Sequence, residues 1–313
     1  MESYSDEAFR ILVRRYKADL CYTEMVHSKN FNASKCNPQK NYWYTTDEHD
    51  RPLVIQICGN NPQEMLKTCL KVQNYCDAID INFGCPQNIA KKGNYGAFLM
   101  EDYELAREIV STLSKNIKVP LFCKIRVFES IDKTVEFAKM LENNGCALMA
   151  VHGRTKEQKK QNTGYVSLNH IKAVKMAVKI PVVSNGGVLE HSDIEKTIKI
   201  TNCDGIMIAE PALFIPTIFT PIKRTCIELL EEYLTIVKEN PTKTAQRHVK
   251  GHVFKFLRRL CDYKKDLNEE ISKCRKIEDY FKLLDLIRNN KDLIPEYLLE
   301  TKPYIRKEYL NSP

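Results

Sequence analysis

The chain has 313 residues, 43% hydrophobic and 28% charged, with a formal net charge of +8. That length suits one large α/β domain with a smaller appendage, and no run approaches the roughly 18 apolar residues of a membrane span. The first ten residues have no signal-peptide core, and their acidic residues argue against a transit peptide. Twelve cysteines are scattered with no CxxC among them, so a zinc spacing is excluded and they read as reduced thiols of a cytoplasmic chain, with a nuclear one as the alternative. The charge alone does not mark a nucleic-acid binder, but residues 221–313 hold 20 Lys and Arg against 15 Asp and Glu.

Apolar spacing over 7–17 predicts a helix capped by Asp6 or Ser5. Leu20 to Val26 reads as a strand, residues 30–50 as a polar loop, and Leu53 to Gly59 as a second strand broken by Gln56. A buried amide needs partners, so Gln56 is either paired with backbone or reads a ligand. Strands then alternate with helices: strands over 78–84, 120–127, 147–154, 181–187 and 204–210, helices over 62–75, 102–115, 132–143, 167–178 and 190–200. Apolar runs separated by amphipathic helices predict a TIM-type (β/α)8 barrel in preference to an open doubly wound sheet, which would carry a Gly-rich turn after its first strand. Seven strands are legible, so the first barrel strand is expected to be missing from this chain. Past residue 220 only helices are predicted, over 222–238, 242–261 and 275–289. The expected domains are therefore a barrel over 1–220 and a helical domain over 221–313. In the second of those helices Lys243, Arg247, Lys250, Lys255, Arg258 and Arg259 lie largely off the apolar face, either as a solvated face or as a track for a phosphate backbone.

Several strands end in polar residues: Gln56, Asn82, Lys124 with Arg126, His152 with Arg154, and Asn185. Lys124 and Arg126 are two apart and so share one side of a strand. Either one alone reads as half of a barrel-internal ion pair or as part of the cationic wall of a cavity. The set suits a flavin, whose reduced ring is stabilised by a fixed positive charge. Asn185-Gly186-Gly187 offers backbone N–H groups to a phosphate near the last strands. Cys85, just past a strand end and three residues after Asn82, is misplaced for a core thiol.

Asn82-Phe-Gly-Cys85-Pro with Gly93, Gly96 and Ala97, then Cys123-Lys124-Ile-Arg126, Val151-His152-Gly-Arg154-Thr155 and Ser184-Asn185-Gly186, resemble the signature of the tRNA-dihydrouridine synthase family. The stretches Gly84 to Leu99 and His152 to Lys159 resemble its eukaryotic branch, which acts on D-loop uridines at roughly positions 16 and 17. The absence of a Gly-Arg pair near Ala209-Glu210 favours the same branch. The resemblance implies FMN-dependent reduction of a uracil C5–C6 double bond in tRNA, driven by NADPH or NADH, in a monomer without metal or membrane. It implies hydride transfer to C6 and a proton from Cys85 to C5; an ordinary thiol, with a pKa of about 8.5, carries that proton at neutral pH. By the same pattern Gln56, Lys124, His152, Asn185, Gly187, Ala209 and Glu210 would hold the flavin, and Asn82 and Arg126 would face the uracil. Arg154, Lys91, Lys92, Lys156, Lys159 and Lys160 would meet the tRNA backbone or act as ordinary solvated charge.

The family begins with a strand ending Ala-Pro-Met, and here Met1 falls on that Met, with Ser5-Asp6 and Phe9-Arg10 behind it. The expectation is a true start upstream, or an inactive truncation. The rival readings are a non-catalytic tRNA-binding protein and another FMN barrel oxidoreductase acting on a free pyrimidine.

Overall fold

Strand, helix and cap signals in the sequence are met closely by the computed structural model, which describes residues 4–34, 45–159, 162–240 and 244–303. Met1, Lys160 and Lys243 lie outside the described residues. The chain divides into two compact units. One, helical, comprises Met1–Glu24, Tyr44–Asp50 and Ala209–Tyr304; the other, the sheet unit, comprises Met25–Trp43, Arg51–Ile208 and Ile305–Pro313.

The stretch expected as one strand, Leu20 to Val26, is two short ones: β1 (Cys21–Tyr22) in the helical unit and β2 (Val26–His27) in the sheet unit. Thr23 and Glu24 interrupt it, with the Thr23 hydroxyl donating to the Glu24 carbonyl at 2.9 Å. The remaining strands are β3 (Leu53–Cys58), β4 (Ala78–Phe83), β5 (Leu121–Arg126), β6 (Leu148–His152), β7 (Val182–Asn185) and β8 (Gly205–Met207). From β2 to β8 each pairs in parallel with the next, without reversal. Seven parallel strands in sequential order curl as a barrel wall does; a doubly wound sheet would reverse its order at a switch point.

Helices Pro62–Val72, Tyr103–Asn116, Ile131–Asn143, Leu168–Ala177 and Ser192–Thr201 make the crossovers, and polar caps fix several of their starts. Asn61 accepts from the N–H groups of Gln63 and Glu64, Asp102 from Leu105 and Ser130 from Lys133. In β4, Ile79, Ile81 and Phe83 are fully buried against the helix layer. The alternate residues Ala78, Asp80 and Asn82 therefore point the other way, toward the inner face.

In the helical unit, helix Glu7–Arg15 starts at Asp6, the cap of the two expected, which accepts from Phe9 N–H at 3.2 Å. Helices Cys226–Glu239, Gln246–Phe256 and Ile277–Asn289 follow, the first with a capping box of Thr225 and Glu228. Val249, Val253, Phe256, Leu257 and Leu260 form the buried face read from their spacing. His252 is buried with them, its ring stacked on Phe9 at 4.6 Å.

No described helix is long and apolar enough to cross a membrane, and no described group of three His, Cys, Asp or Glu is placed to hold a metal ion.

Candidate active site

Parallel register gathers the polar strand residues into one row. Gln56 lies opposite Asp80, Asn82 opposite Lys124, Arg126 opposite His152, and His152 opposite Asn185. Residues paired across neighbouring strands share a face, so all seven side chains belong to the inner surface of the sheet.

Hydrogen bonds tie the first part of the row to the cysteine turn. Gln56 Nε2 donates to Asp80 Oδ2 at 2.8 Å, and Asn82 Nδ2 donates to Gln56 Oε1 at 2.9 Å. Asn82 Oδ1 accepts from the backbone N–H groups of Gly84 (2.9 Å) and Cys85 (2.8 Å), an Asx-type turn that starts in the last residues of β4. The Cys85 carbonyl accepts from Ala97 N–H at 3.0 Å. Gly96 makes that approach possible: its φ is +65°, and a Cβ there would sit 2.7 Å from the Cys85 oxygen. Cys85 is half-buried, whereas the other described cysteines are all buried.

Charge is concentrated beside this turn. The Lys124 side chain makes no hydrogen bond or ion-pair contact among the described residues. Burial lowers its pKa, as does Arg126, while Asp80 and Cys85 pull it back up. Asp80 is fully buried, and burial pushes its carboxyl up against the opposing pull of Gln56 and Lys124. Arg126 is buried and donates through Nε to the Gly84 carbonyl at 2.8 Å and through Nη1 to the carbonyls of Thr155 and Gln158, the latter at 3.1 Å.

His152 accepts at Nε2 from Arg154 Nη1 at 3.3 Å. A guanidinium only donates, so the imidazole is neutral and carries its proton on Nδ1. Burial first, then Lys124, Arg126 and Arg154, hold its pKa far below the ordinary histidine range. Beyond it Gly186 and Gly187 have φ of +92° and +84°, and a Cβ on Gly186 would lie 2.8 Å from His152 Cδ2. Successive left-handed glycines turn backbone N–H groups into a concavity suited to an anion. Asn185 Nδ2 donates to the Met207 carbonyl at 2.8 Å, fastening β7 to β8.

The row thus brings together Gln56, Asn82, Lys124, Arg126, His152 and Asn185 with the turns of Cys85 and Gly187. Ala209 and Glu210 fall in the helical unit, where Glu210 precedes a short 3-10 turn, Pro211–Leu213. Lys91 and Lys92 are exposed at the end of the short helix Asn88–Lys92. Lys156 is engaged within the unit, paired with Glu101 and 5.6 Å from the Phe98 ring, and Lys159 donates to the Pro86 carbonyl at 2.7 Å. Arg154 is buried and also donates to the Gly164 carbonyl. Asp80 is the member of the row that the sequence reading did not single out. Its signal was an acid interrupting an otherwise apolar strand, the same signal that marked Gln56.

A family model described as dihydrouridine synthase matches residues 1–294. The chain is 43% identical over 278 residues to a Mus musculus protein named tRNA-dihydrouridine(16/17) synthase (NAD(P)(+))-like, covering 89% of this chain and 58% of that one. It is 38% identical over 284 residues to a Schizosaccharomyces pombe protein named tRNA-dihydrouridine(16/17) synthase (NAD(P)(+)), with 87% and 71% covered. A Saccharomyces cerevisiae protein of that same name is 39% identical over 285 residues, with 87% and 67% covered. The chain spans only 58% and 63% of its mouse and rat relatives.

Proposed function

This chain belongs to the dihydrouridine synthase family, and we propose that it is the FMN-dependent catalytic part of an enzyme that reduces a uracil C5–C6 double bond in the D-loop of tRNA. The names of its relatives point to positions 16 and 17 and to NADPH or NADH as the electron donor. The observation that carries the reading is the Asn82–Cys85 turn held beside the ammonium of Lys124 on one face of the sheet.

The residues present fit a flavin. Lys124 offers a desolvated cation without a hydrogen-bonding partner among the described residues, Gln56 offers an amide, and neutral His152 offers a donor at Nδ1. The Gly186–Gly187 turn, left-handed at both residues and without a Cβ to press on His152 and Val166, is suited to meet a phosphate end with its backbone N–H groups. When bound, the flavin supplies the hydride drawn from NADPH or NADH and delivered to uracil C6.

Cys85 supplies the proton to C5, and its thiol is then restored by a proton from solvent. The thiolate left behind lies in the field of Lys124 and Arg126, both of which interact electrostatically with Cys85. Asn82 fixes the turn that aims the thiol, and Arg126 fixes the carbonyl of Gly84 on its other flank. A uracil reaching this face must leave its stack, and the unpaired D-loop makes that step less costly.

Purified protein should be yellow, and Cys85→Ala should keep flavin absorbance and tRNA binding while losing dihydrouridine formation by at least about 100-fold. Turnover close to that of the unsubstituted protein would sink the assignment of Cys85 as the proton donor.

A further inference from the structure

Asp80 is buried at the foot of the row, and its Oδ1 has no hydrogen-bond partner among the described residues. Its other oxygen begins an unbroken chain to the reactive turn: Gln56 Nε2 to Asp80 Oδ2, Asn82 Nδ2 to Gln56 Oε1, then Cys85 N–H to Asn82 Oδ1. The two amides in that chain are symmetric in shape and opposite in polarity at their ends. Nothing in Gln56 or Asn82 alone decides which end faces which neighbour. The two ends decide it together: the Gly84 and Cys85 N–H groups only donate, and the Asp80 carboxylate only accepts.

With Oδ2 accepting, Gln56 must present its NH2 to Asp80 and therefore its oxygen to Asn82. Asn82 must then present its NH2 to Gln56 and its oxygen to the turn. Rotating either amide would set two NH2 groups or two oxygens against each other, leaving buried donors or acceptors unmatched at about 1–3 kcal/mol each. A proton taken up on Oδ1 would leave Oδ2 an acceptor and the direction of the chain unchanged.

We propose that Asp80 is a positioning residue whose carboxylate anchors the far end of the Gln56–Asn82 chain, matching the polarity that the N–H groups of the turn impose, and so holds the Cys85 turn in its reactive geometry. Its consequence for catalysis rests on the proposed role of Cys85; its consequence for the turn does not. Asp80→Asn weakens the anchor: Gln56 then donates to a neutral amide oxygen, and a buried NH2 group takes the place of Oδ1, which has no hydrogen-bond partner among the described residues. Asn82→Asp alone puts two carboxylates in competition for one NH2 group. Asp80→Asn combined with Asn82→Asp restores a single direction, now reversed. The carboxylate introduced at position 82 accepts from Gln56 on one oxygen and from the turn on the other.

Hydrogen exchange of the Gly84 and Cys85 amides, read by mass spectrometry on peptides spanning 82–97, tests this directly. Each single substitution should speed exchange by about tenfold or more, and the double variant should return it to within about threefold of the unsubstituted protein. A role of Asp80 in charge alone, or in bulk packing, would not produce that rescue. Unchanged protection in Asp80→Asn, or fast exchange in the double variant, would overturn the proposal. Should Asp80→Asn fail to fold, the double variant decides: a folded protein with protected amides supports the proposal, and an unfolded one overturns it. Dihydrouridine formation is measured in parallel. If the unsubstituted protein makes none, the assigned reaction fails while the exchange pattern still tests the chain.

Discussion

Arg126 brings a full charge to a buried position with no carboxylate in ion-pair contact among the described residues. It donates instead to three carbonyls, of Gly84, Thr155 and Gln158. Burial, and next Arg154, lower its pKa to about 10, so it remains protonated at neutral pH. Arg126→Met keeps much of the length and removes every donor, leaving those oxygens unmatched at about 1–3 kcal/mol each. Urea denaturation of the variant should show a loss of roughly 3 kcal/mol or more, and Arg126→Lys should recover less than half because an ammonium lacks the planar fork. A loss under about 1 kcal/mol in Arg126→Met would show the three bonds to be incidental. The sequence made Arg126 conspicuous, as it did Gln56, Lys124 and His152, because a polar residue near the end of an apolar strand is visible locally. It could not show the partners: the bonds to Gly84 and Thr155 span 42 and 29 residues, and only the fold supplies them. Asp80 interrupts its apolar strand just as Gln56 does, but its role shows only with its partner, Gln56, which lies on the adjacent strand.

Among the helices of the other unit, one carboxylate joins three. Asp6 caps helix Glu7–Arg15, accepts from Tyr233 OH of helix Cys226–Glu239 at 3.3 Å, and pairs with His252 Nε2 of helix Gln246–Phe256 at 2.7 Å. Burial alone would raise its pKa, but His252, His248 and Arg10 together hold it below the ordinary aspartate value. A folded-state pKa below the unfolded one stabilises the protein above the unfolded value, and that contribution is lost as pH falls through the folded one. Stability should therefore be steady with respect to Asp6 above about pH 5 and should fall below about pH 4. Asp6→Ala, which leaves His252 buried opposite no acid, should cost about 3–5 kcal/mol at neutral pH and lose this part of the acid dependence. Chemical denaturation of both proteins between pH 3 and pH 7 checks it, and parallel pH profiles would contradict it. At this scale the sequence was most readable: hydrophobic period and cap chemistry are local, and they placed the crossover helices to within three residues. Three readings departed from this: the polar loop expected from residue 30 begins within helix Ser28–Ala33, the helix expected over 242–261 is observed as Gln246–Phe256 and Arg258–Tyr263, and Leu20 to Val26 is not one strand, because the two units divide at Glu24 and Met25, a division that depends on contacts far along the chain.

For the molecule as a whole the informative quantity is where uncommitted positive charge lies. The net +8 is spread over both halves of the sequence, and much of it is already engaged. Lys156 faces Glu101, Lys159 holds the Pro86 carbonyl, and Arg126 and Arg154 bind carbonyls. Lys91 and Lys92 differ. They are exposed, stand six and seven residues past Cys85 on the same loop system, and their side chains make no hydrogen bond or ion pair among the described residues. Phosphates of a tRNA whose uracil reaches the Cys85 turn would meet these two cations at no cost in broken internal contacts. Each phosphate neutralised releases condensed counterions and steepens the salt dependence of binding by about 0.7–0.9 in log–log slope. The Lys91→Glu/Lys92→Glu double variant should therefore bind tRNA at least about tenfold more weakly at low salt. Its plot of log affinity against log salt should be shallower by about 1–2, with kcat at saturating tRNA near that of the unsubstituted protein. Lys156→Glu should instead act mainly on stability, because it sets two carboxylates against each other at Glu101. Filter binding over a range of salt concentrations separates the cases. A uniform loss of affinity with an unchanged slope would mean that the two lysines shape the loop and leave the phosphates to other residues.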